Sequence, residues 1–236
     1  MPTRADVVAE FGDQAPTQWG LEVDGVVLRS RATSICLTFD ACGGRHGSDV
    51  DDELLTALVD TATPATLFLN SRWIEANPRS TRDLMANPLF ELANHGTAHV
   101  PLSVTSRKAY GIPGTASAGE VHDEVVTNQE LMASLLGKPP RFFRSGTAHY
   151  DDVAARIVHA LGLVPVNFDT NADGGATFTR HQVRAATEAA TPGSICIAHL
   201  NQPGSGTAAG MADAIAAMTQ RGVVFARLGD VLDDDA

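Results

Sequence analysis

The chain has 236 residues, a length that suits one large α/β domain or two smaller domains. Its formal net charge of -11 at pH 7 argues against a nucleic-acid-binding protein, because phosphate backbones attract clusters of lysine and arginine. The same charge disfavours docking on anionic membranes, and no apolar run approaches the roughly 18 residues that span a bilayer. We therefore expect a protein that neither binds nucleic acid nor inserts into a membrane.

Short apolar, β-rich runs alternate with helix-like stretches along almost the whole chain. The predicted strands are Ser34–Phe39, Ala65–Asn70, Leu89–Ala93, Arg141–Phe143, Val164–Asn167, Ser194–Ala198 and Val223–Arg227. The predicted helices cover residues 51–62, 80–87, 119–136, 151–161, 180–190 and 207–221. Regular alternation predicts parallel strands joined by crossover helices. Seven such strands favour a single-domain α/β fold, an incomplete or distorted (β/α)7 barrel.

Two segments fall outside this alternation. Residues 1–33 are predicted to form an N-terminal appendage in which Trp19–Ser30 folds as a small hairpin, and residues 1–13 lack the apolar stretch of a signal peptide. Residues 100–118 are rich in Gly, Ser, Pro and Thr and are predicted to form a long loop, a feature that is often functional in compact domains. The main domain is then expected to cover residues 34–236.

Polar or titratable residues follow the ends of five predicted strands. Ligands of parallel α/β folds bind beyond the carboxyl ends of the strands, so these residues are expected at one rim. The candidates are Asp40, Cys42, His95, His99, Arg144, Asp169, Asp173 and His199. Each residue alone has an ordinary structural explanation, whereas their shared position favours a functional site.

Two histidines among these candidates are spaced as metal ligands often are. His95 and His99 lie four residues apart, so one helical turn would place both imidazoles on one side. Paired imidazoles commonly bind transition metals, and zinc is the expected metal. The other two cysteines, Cys36 and Cys196, lie in apolar runs and are expected in the core, and three cysteines are too few for a disulfide framework.

The strand-end motifs resemble those of the polysaccharide deacetylases, the NodB-homology carbohydrate esterases. The matching segments, in family order, are ICLTFD, ELANHGTAHVPLS, LLGKPPRFFRSG, VNFDTNAD and ICIAHL. The resemblance runs from about Ser34 to Leu232 and identifies residues 34–236 as a catalytic domain. It implies a hydrolase of carbon–nitrogen bonds other than peptide bonds, which removes acetyl groups from a polysaccharide or oligosaccharide. It also implies a secreted or periplasmic location.

The resemblance implies a role for each candidate when it is carried over position by position. His95 and His99 would bind zinc or another divalent transition metal, and Asp40 would accept a proton from water. Zinc lowers the pKa of bound water from 15.7 to about 7, which makes water a nucleophile at neutral pH. His199 would protonate the leaving amine, as a general acid must in amide hydrolysis.

Two further positions complete this assignment. Arg144 matches the arginine that holds the catalytic carboxylate in the family. Asp169 or Asp173 matches the acid that orients the catalytic histidine, and this choice stays open because the family's Asp-Trp ending is missing here.

The sequence departs from the family at Ala41, where the family has a second aspartate that is normally the third metal ligand. Asp40 would then act as both ligand and base, or Cys42 would supply a thiolate, which binds zinc well. Further candidate ligands at the rim are His46, Asp49 and His149. Two alternative functions follow from this departure and from the scaffold. One is an amidohydrolase that acts on a small amide, and the other is a degenerate, non-catalytic glycan-binding member.

Overall fold

A computed structural model describes residues 1–232, so the last four residues of the expected catalytic domain lie outside it. The helices are α1 (Arg4–Phe11), α2 (Asp52–Asp60), α3 (Ser71–Ala76), α4 (Pro78–Ala86), α5 (Ala118–Leu136), α6 (Asp152–Ala160), α7 (Arg180–Glu188), α8 (Thr207–Gln220) and α9 (Leu228–Val231). The strands are β1 (Trp19–Gly20), β2 (Cys36–Ala41), β3 (Ala65–Leu69), β4 (Phe90–Asn94), β5 (Lys108–Ala109), β6 (Ile112–Pro113), β7 (Phe142–Phe143), β8 (Tyr150–Asp151), β9 (Val164–Pro165), β10 (Thr170–Asn171) and β11 (Ile195–His199). Within residues 1–232, the helices are all too short or too polar to cross a membrane.

Seven strands form one parallel sheet in the order β10-β11-β2-β3-β4-β7-β9. The predicted fold class, an incomplete (β/α)7 barrel of parallel strands, is confirmed. Every residue of β2 and β3 is buried, which explains their nearly continuous apolar sequences. Parallel strands that are buried on both faces need such sequences.

The six predicted helices are confirmed as α2, α4, α5, α6, α7 and α8. Helix α5 shows why the prediction succeeds, since both of its ends carry local signals. The hydroxyl of Ser117 accepts a hydrogen bond from the backbone N–H of Glu120 at 3.2 Å, and this caps the first turn. Gly137 ends the helix with a φ of 71°, a conformation that glycine adopts without strain.

The predicted strand Val223–Arg227 is wrong. Only Phe225 forms a bridge, to Ile35, and helix α9 begins three residues later at Leu228. Arg227 is the capping residue of that helix and is bound to Asp230 through three hydrogen bonds, so the chain turns before a strand can extend. The seventh strand of the sheet is instead β10, which follows the predicted strand Val164–Asn167.

Contacts within the chain define two compact units. The first contains residues 1–27, 69–72 and 93–167. In it α1 packs against α5 and α6, and Val7 and Phe11 are buried in the same apolar core as residues of both helices. The predicted hairpin over Trp19–Ser30 is wrong, because β1 pairs with β8 and Val27 bridges Val166. The boundary predicted at residue 33 stays a prediction.

The second unit contains residues 28–68, 73–92 and the chain from Phe168 onward. Here α8 packs against α2 and α7. Gly210 permits the close approach of α7 and α8, because a Cβ at this position would lie 2.5 Å from Cβ of Val183. A side chain larger than glycine would therefore push the two helices apart.

Candidate active site

In the first unit, His95 directly follows β4 and its side chain is held in one orientation. The residue is 1% exposed, and its Nδ1 lies 2.9 Å from the backbone carbonyl oxygen of Arg144. Because a carbonyl only accepts, Nδ1 carries the proton and donates it. Nε2 of His95 is therefore the nitrogen that would bind a metal, the arrangement that metal-binding histidines usually have.

His95 and His99 do not lie on one helical turn, so that expectation is wrong. The segment between them is a loop in which Gly96 and His99 both have positive φ, 73° and 58°. The two imidazole rings nevertheless meet edge to face, with centroids 4.9 Å apart. The loop, rather than a helical turn, brings the two rings together.

Glu124 of α5 holds this loop in place. Its carboxylate accepts hydrogen bonds from the backbone N–H groups of Thr97, Ala98 and His99, at 3.1, 2.8 and 3.0 Å. Glu124 is only 6% exposed, and this burial raises its pKa against the opposing effect of the backbone hydrogen bonds. A Cβ at Gly96 would lie 2.5 Å from the carboxylate, so glycine is required there.

Glu124 is not among the predicted site residues, although its position in the sequence carries a signal. Glu124 follows Val121 by three residues and precedes Asn128 by four, which places it on the buried face of α5. A charged residue on an apolar helix face is seldom buried without partners. Its position in the sequence therefore predicts a buried carboxylate that accepts hydrogen bonds.

We expect Glu124→Ala to lower the free energy of unfolding by about 2–4 kcal/mol, because buried backbone donors would lose their acceptor. The variant should also bind metal about 10–100-fold more weakly, as is typical when a group that orients a ligand is removed. Urea denaturation and a metal-competition titration measure the two effects. Glu130→Ala, at an exposed position of the same helix, is the matched control. Equal metal affinity of the two variants would contradict the role of Glu124.

Arg144 is fully buried in the first unit, directly after β7. Its Nε and Nη2 donate to the carbonyl oxygens of Val166 and Asn167 at 3.1 and 3.0 Å, while its own carbonyl orients His95. Gly146, two residues later, packs so closely that a Cβ would lie 2.2 Å from the carbonyl carbon of His99. Arg144 and Gly146 of the segment LLGKPPRFFRSG thus support both histidines of the segment ELANHGTAHVPLS.

In the second unit, Asp40 and His199 lie side by side. Strands β2 and β11 are adjacent and parallel, and their register pairs Asp40 with His199 at the carboxyl ends. Paired residues of adjacent strands point to the same face of a sheet, so both side chains extend from one face. Asp40 is 3% exposed.

Asp173, rather than Asp169, contacts the histidine. The fully buried Asp173 carboxylate accepts hydrogen bonds from the backbone N–H of His199 at 2.7 Å and from its Nδ1 at 3.1 Å. Asp169 instead binds Arg29 and Ser194. Asp173 is therefore the residue that orients the ring of His199.

Each partner of this pair favours the charged form of the other. Burial alone would lower the pKa of His199, but hydrogen bonds to Asp173 and Cys42 outweigh it and raise the pKa well above its usual value. Burial would raise the pKa of Asp173, and the hydrogen bond from His199 lowers it instead. Both shifts favour an imidazolium beside a carboxylate, which is the charge state that a general acid needs.

Of the three cysteines, Cys42 is the one that is half-buried rather than buried. Its sulfur is hydrogen-bonded with the ring of His199. The loop after it is fastened to the loop after His199, because the side-chain amide of Asn201 donates to the carbonyl of Gly47 at 2.9 Å. Cys36 and Cys196 are buried as predicted, and burial raises the pKa of each to about 12. These two thiols are therefore unsuited to metal binding at neutral pH.

Among residues 1–232, Cys42, His95 and His99 form a group of donors suited to one metal ion. The sulfur and one nitrogen of each imidazole lie within 4.8 Å of one another. Ligand atoms around a tetrahedral zinc stand roughly 3–4 Å apart, given bonds of about 2.3 Å to sulfur and 2.0 Å to nitrogen. One thiolate and two imidazoles also match the chemistry of zinc. His46, Asp49 and His149 are outside this group.

The polysaccharide deacetylase profile matches residues 29–166 of the chain. The chain belongs to the polysaccharide deacetylase family. Comparison with curated protein sequences gave no match. The family assignment confirms the resemblance found in the motifs. It relates this chain to the hydrolases that remove acetyl groups from glycans.

Solved structures with the same fold include a deacetylase, a carbohydrate esterase and a pseudoenzyme. A family 4 carbohydrate esterase pseudoenzyme from Bacillus anthracis is 18% identical with a TM-score of 0.72, over 94% of this chain and 71% of that one. A peptidoglycan N-acetylglucosamine deacetylase is 17% identical with a TM-score of 0.73, over 88% and 92%. A family 4 carbohydrate esterase from Streptomyces lividans, in complex with acetate, is 19% identical with a TM-score of 0.67, over 88% and 96%.

Proposed function

We propose that this protein is a metal-dependent hydrolase that removes acetyl groups from a polysaccharide or oligosaccharide. The observation that carries the proposal is that Cys42 belongs to two groups at once. It is one of three donors suited to zinc, and it is hydrogen-bonded to His199 of the His199–Asp173 pair. A metal that activates water and an imidazolium that protonates the leaving nitrogen can together promote amide hydrolysis.

Each of these side chains has a task in the proposed reaction. A divalent metal would supply a Lewis acid that activates water and polarises the acetyl carbonyl. Asp40 accepts the proton of the attacking water, and His199 donates a proton to the leaving nitrogen. Asp173 keeps Nδ1 of His199 protonated, so that Nε2 delivers the proton. Arg144 positions His95 through its backbone carbonyl.

The proposed substrate is an N-acetylated amino sugar within a polymer. The peptidoglycan N-acetylglucosamine deacetylase of the same fold supports this choice, as does the net charge of -11, since deacetylation leaves a cationic product. A secreted or periplasmic location, where such polymers occur, is part of the proposal. Zinc is the proposed metal because the donors are one sulfur and two nitrogens.

Acetate release from a panel of acetylated glycans tests this function directly. We expect release from at least one N-acetylated polymer with zinc bound, and a loss of release after chelation that added zinc reverses. Asp40→Asn should abolish release while the protein still folds, because an amide cannot accept the proton of water. Near wild-type release by Asp40→Asn would remove Asp40 from the mechanism.

A second candidate function is glycan binding without turnover. Ala41, which replaces the family's second aspartate, favours it, and a pseudoenzyme is among the proteins of the same fold. A protein that binds zinc and glycan with normal affinity but releases no acetate from any member of the panel would support this candidate over the first.

A further inference from the structure

Three ring side chains lie together on the surface of the first unit, and we call them the aromatic cluster: Trp19, Tyr110 and His149. The ring centroids of Trp19 and His149 are 5.7 Å apart, and those of Tyr110 and His149 are 5.3 Å apart. The guanidinium carbon of Arg107 lies 5.9 Å from the centroid of the Trp19 ring. Tyr110 is 79% exposed, while Trp19 and His149 are half-buried. Aromatic rings that are gathered together and partly exposed are candidates for a binding surface.

Tyr110 occupies a position that folding alone does not favour. It lies at the tip of the β5–β6 hairpin, within the segment predicted as a long loop, and Tyr110 and Gly111 have φ values of 52° and 78°. Two-residue turns with positive φ at both positions prefer Asn-Gly or Asp-Gly. A tyrosine there adds strain, and its exposed ring gains little from burial. A role in binding explains why a tyrosine stands at this tip.

The aromatic cluster is joined to the loop of the proposed metal ligands. His149 follows Gly146, which packs against the backbone of His99, and three residues span at most roughly 11 Å. The carbonyl of His149 also accepts hydrogen bonds from the N–H of Leu102 and the hydroxyl of Ser145, at 3.0 and 2.9 Å. The cluster is therefore anchored within a short distance of His99.

We propose that the aromatic cluster is a binding subsite for a neutral pyranose unit of the glycan chain, adjacent to the sugar that carries the acetyl group. This inference rests on the proposed function. The faces of a pyranose ring present C–H groups with partial positive charge, and the face of an aromatic ring is negative, so the two stack.

Polar atoms at the edge of the cluster suit the hydroxyl groups of a sugar. Nδ1 of His149 lies 2.7 Å from the carbonyl of Thr147 and donates to it, so Nε2 of His149 is an acceptor for a sugar hydroxyl. The guanidinium of Arg107 lies over the Trp19 ring and supplies donors there. Apolar faces flanked by a donor and an acceptor match a neutral sugar better than an aliphatic or strongly charged ligand.

Tyr110→Asn tests the subsite without harming the fold, because asparagine suits the turn better than tyrosine. The probes are the β-1,4-linked tetramer and the monomer of N-acetylglucosamine, with xylotetraose as a second oligomer. With zinc-loaded protein we expect calorimetry to show about three- to tenfold weaker binding of a tetramer, the range that one aromatic stacking contact supplies. Binding of the monomer should not change. Tyr110→Phe should bind like wild type.

A matched control and a second signal sharpen this test. Val224→Asn removes an apolar side chain that is 63% exposed in the second unit and should leave oligosaccharide binding unchanged. The chain has two tryptophans, and Trp73 is fully buried, so a fluorescence change on adding tetramer should come from Trp19. That change should be lost in Trp19→Phe.

The outcomes separate the subsite from the proposed function. Unchanged tetramer affinity in Tyr110→Asn would overturn the subsite, and so would equal losses for tetramer and monomer or failure of wild type to bind either tetramer. Binding that depends on Tyr110, in a protein that releases no acetate, would support the subsite and refute the proposed function. Acetate release with a tetramer KM that is unaffected by Tyr110→Asn would support the proposed function and refute the subsite.

Discussion

Replacing Cys42 with serine should weaken zinc binding by about 100-fold or more. Loss of a group that only orients a metal ligand typically costs 10–100-fold, and loss of one of three ligands should cost at least the upper end of this range. Competition with a chromophoric chelator measures the affinity, and metal analysis measures the stoichiometry. Cys42→Asp should retain more zinc than Cys42→Ser, because a carboxylate is also a zinc ligand.

The neighbouring His46 provides the control for this experiment. His46 is exposed, lies four residues from Cys42 and is outside the donor group, so His46→Ala should bind zinc as wild type does. If Cys42→Ser kept stoichiometric zinc at unchanged affinity, the thiolate would not be a ligand. The role of third ligand would then pass to Asp40, as the sequence alone also allows.

His199→Ala should reduce hydrolysis of an N-acetylated glycan by about 10²–10⁴-fold, the usual contribution of general acid catalysis. An amine leaves poorly until it is protonated, whereas an activated phenolate leaves without a proton. Hydrolysis of an aryl acetate should therefore fall much less than hydrolysis of the amide. Steady-state kinetics on both substrates, at equal zinc occupancy, measures the difference.

Two further variants provide a control and a comparison for His199→Ala. His181→Ala removes an exposed histidine of α7 and should leave both activities unchanged. Like His199→Ala, Asp173→Asn should reduce hydrolysis of the amide substrate much more than hydrolysis of the aryl acetate. The reason is that the neutral asparagine side chain no longer favours a protonated His199 ring. Equal losses on ester and amide, with folding and zinc content intact, would show that His199 only packs against the loop.

The fold was predictable because its signals are local. Buried parallel strands have apolar sequences, and the helices between them carry caps such as Ser117 and Gly137. Val223–Arg227 was predicted wrongly because it is as apolar as a strand. In the structure only Phe225 of this segment forms a bridge, and helix α9 begins at Leu228 with Arg227 as its capping residue.

The sequence predicted that the site residues lie together at the carboxyl ends of the strands, but it did not predict which of them contact one another. Strand ends indicated Asp40 and His199, because the carboxyl ends of parallel strands share one edge. The choice between Asp169 and Asp173 depends on Arg29, which lies 140 residues from Asp169 in the sequence. The contacts of Glu124 with Thr97, Ala98 and His99 are likewise distant in sequence. Local patterns do not contain such pairings.

The in-register pairing of Asp40 with His199 has a consequence for how this scaffold can change during evolution. Neighbouring strands of a sheet are about 4.8 Å apart, so the separation of the proposed base and acid is set by backbone hydrogen bonding rather than by loop conformation. Tyr110, by contrast, stands at the tip of a hairpin, and surface loops tolerate changes in length and sequence better than the strands they connect. The proposed preference for one sugar polymer over another can therefore change through the loops while the spacing of the proposed proton-transferring groups stays constant.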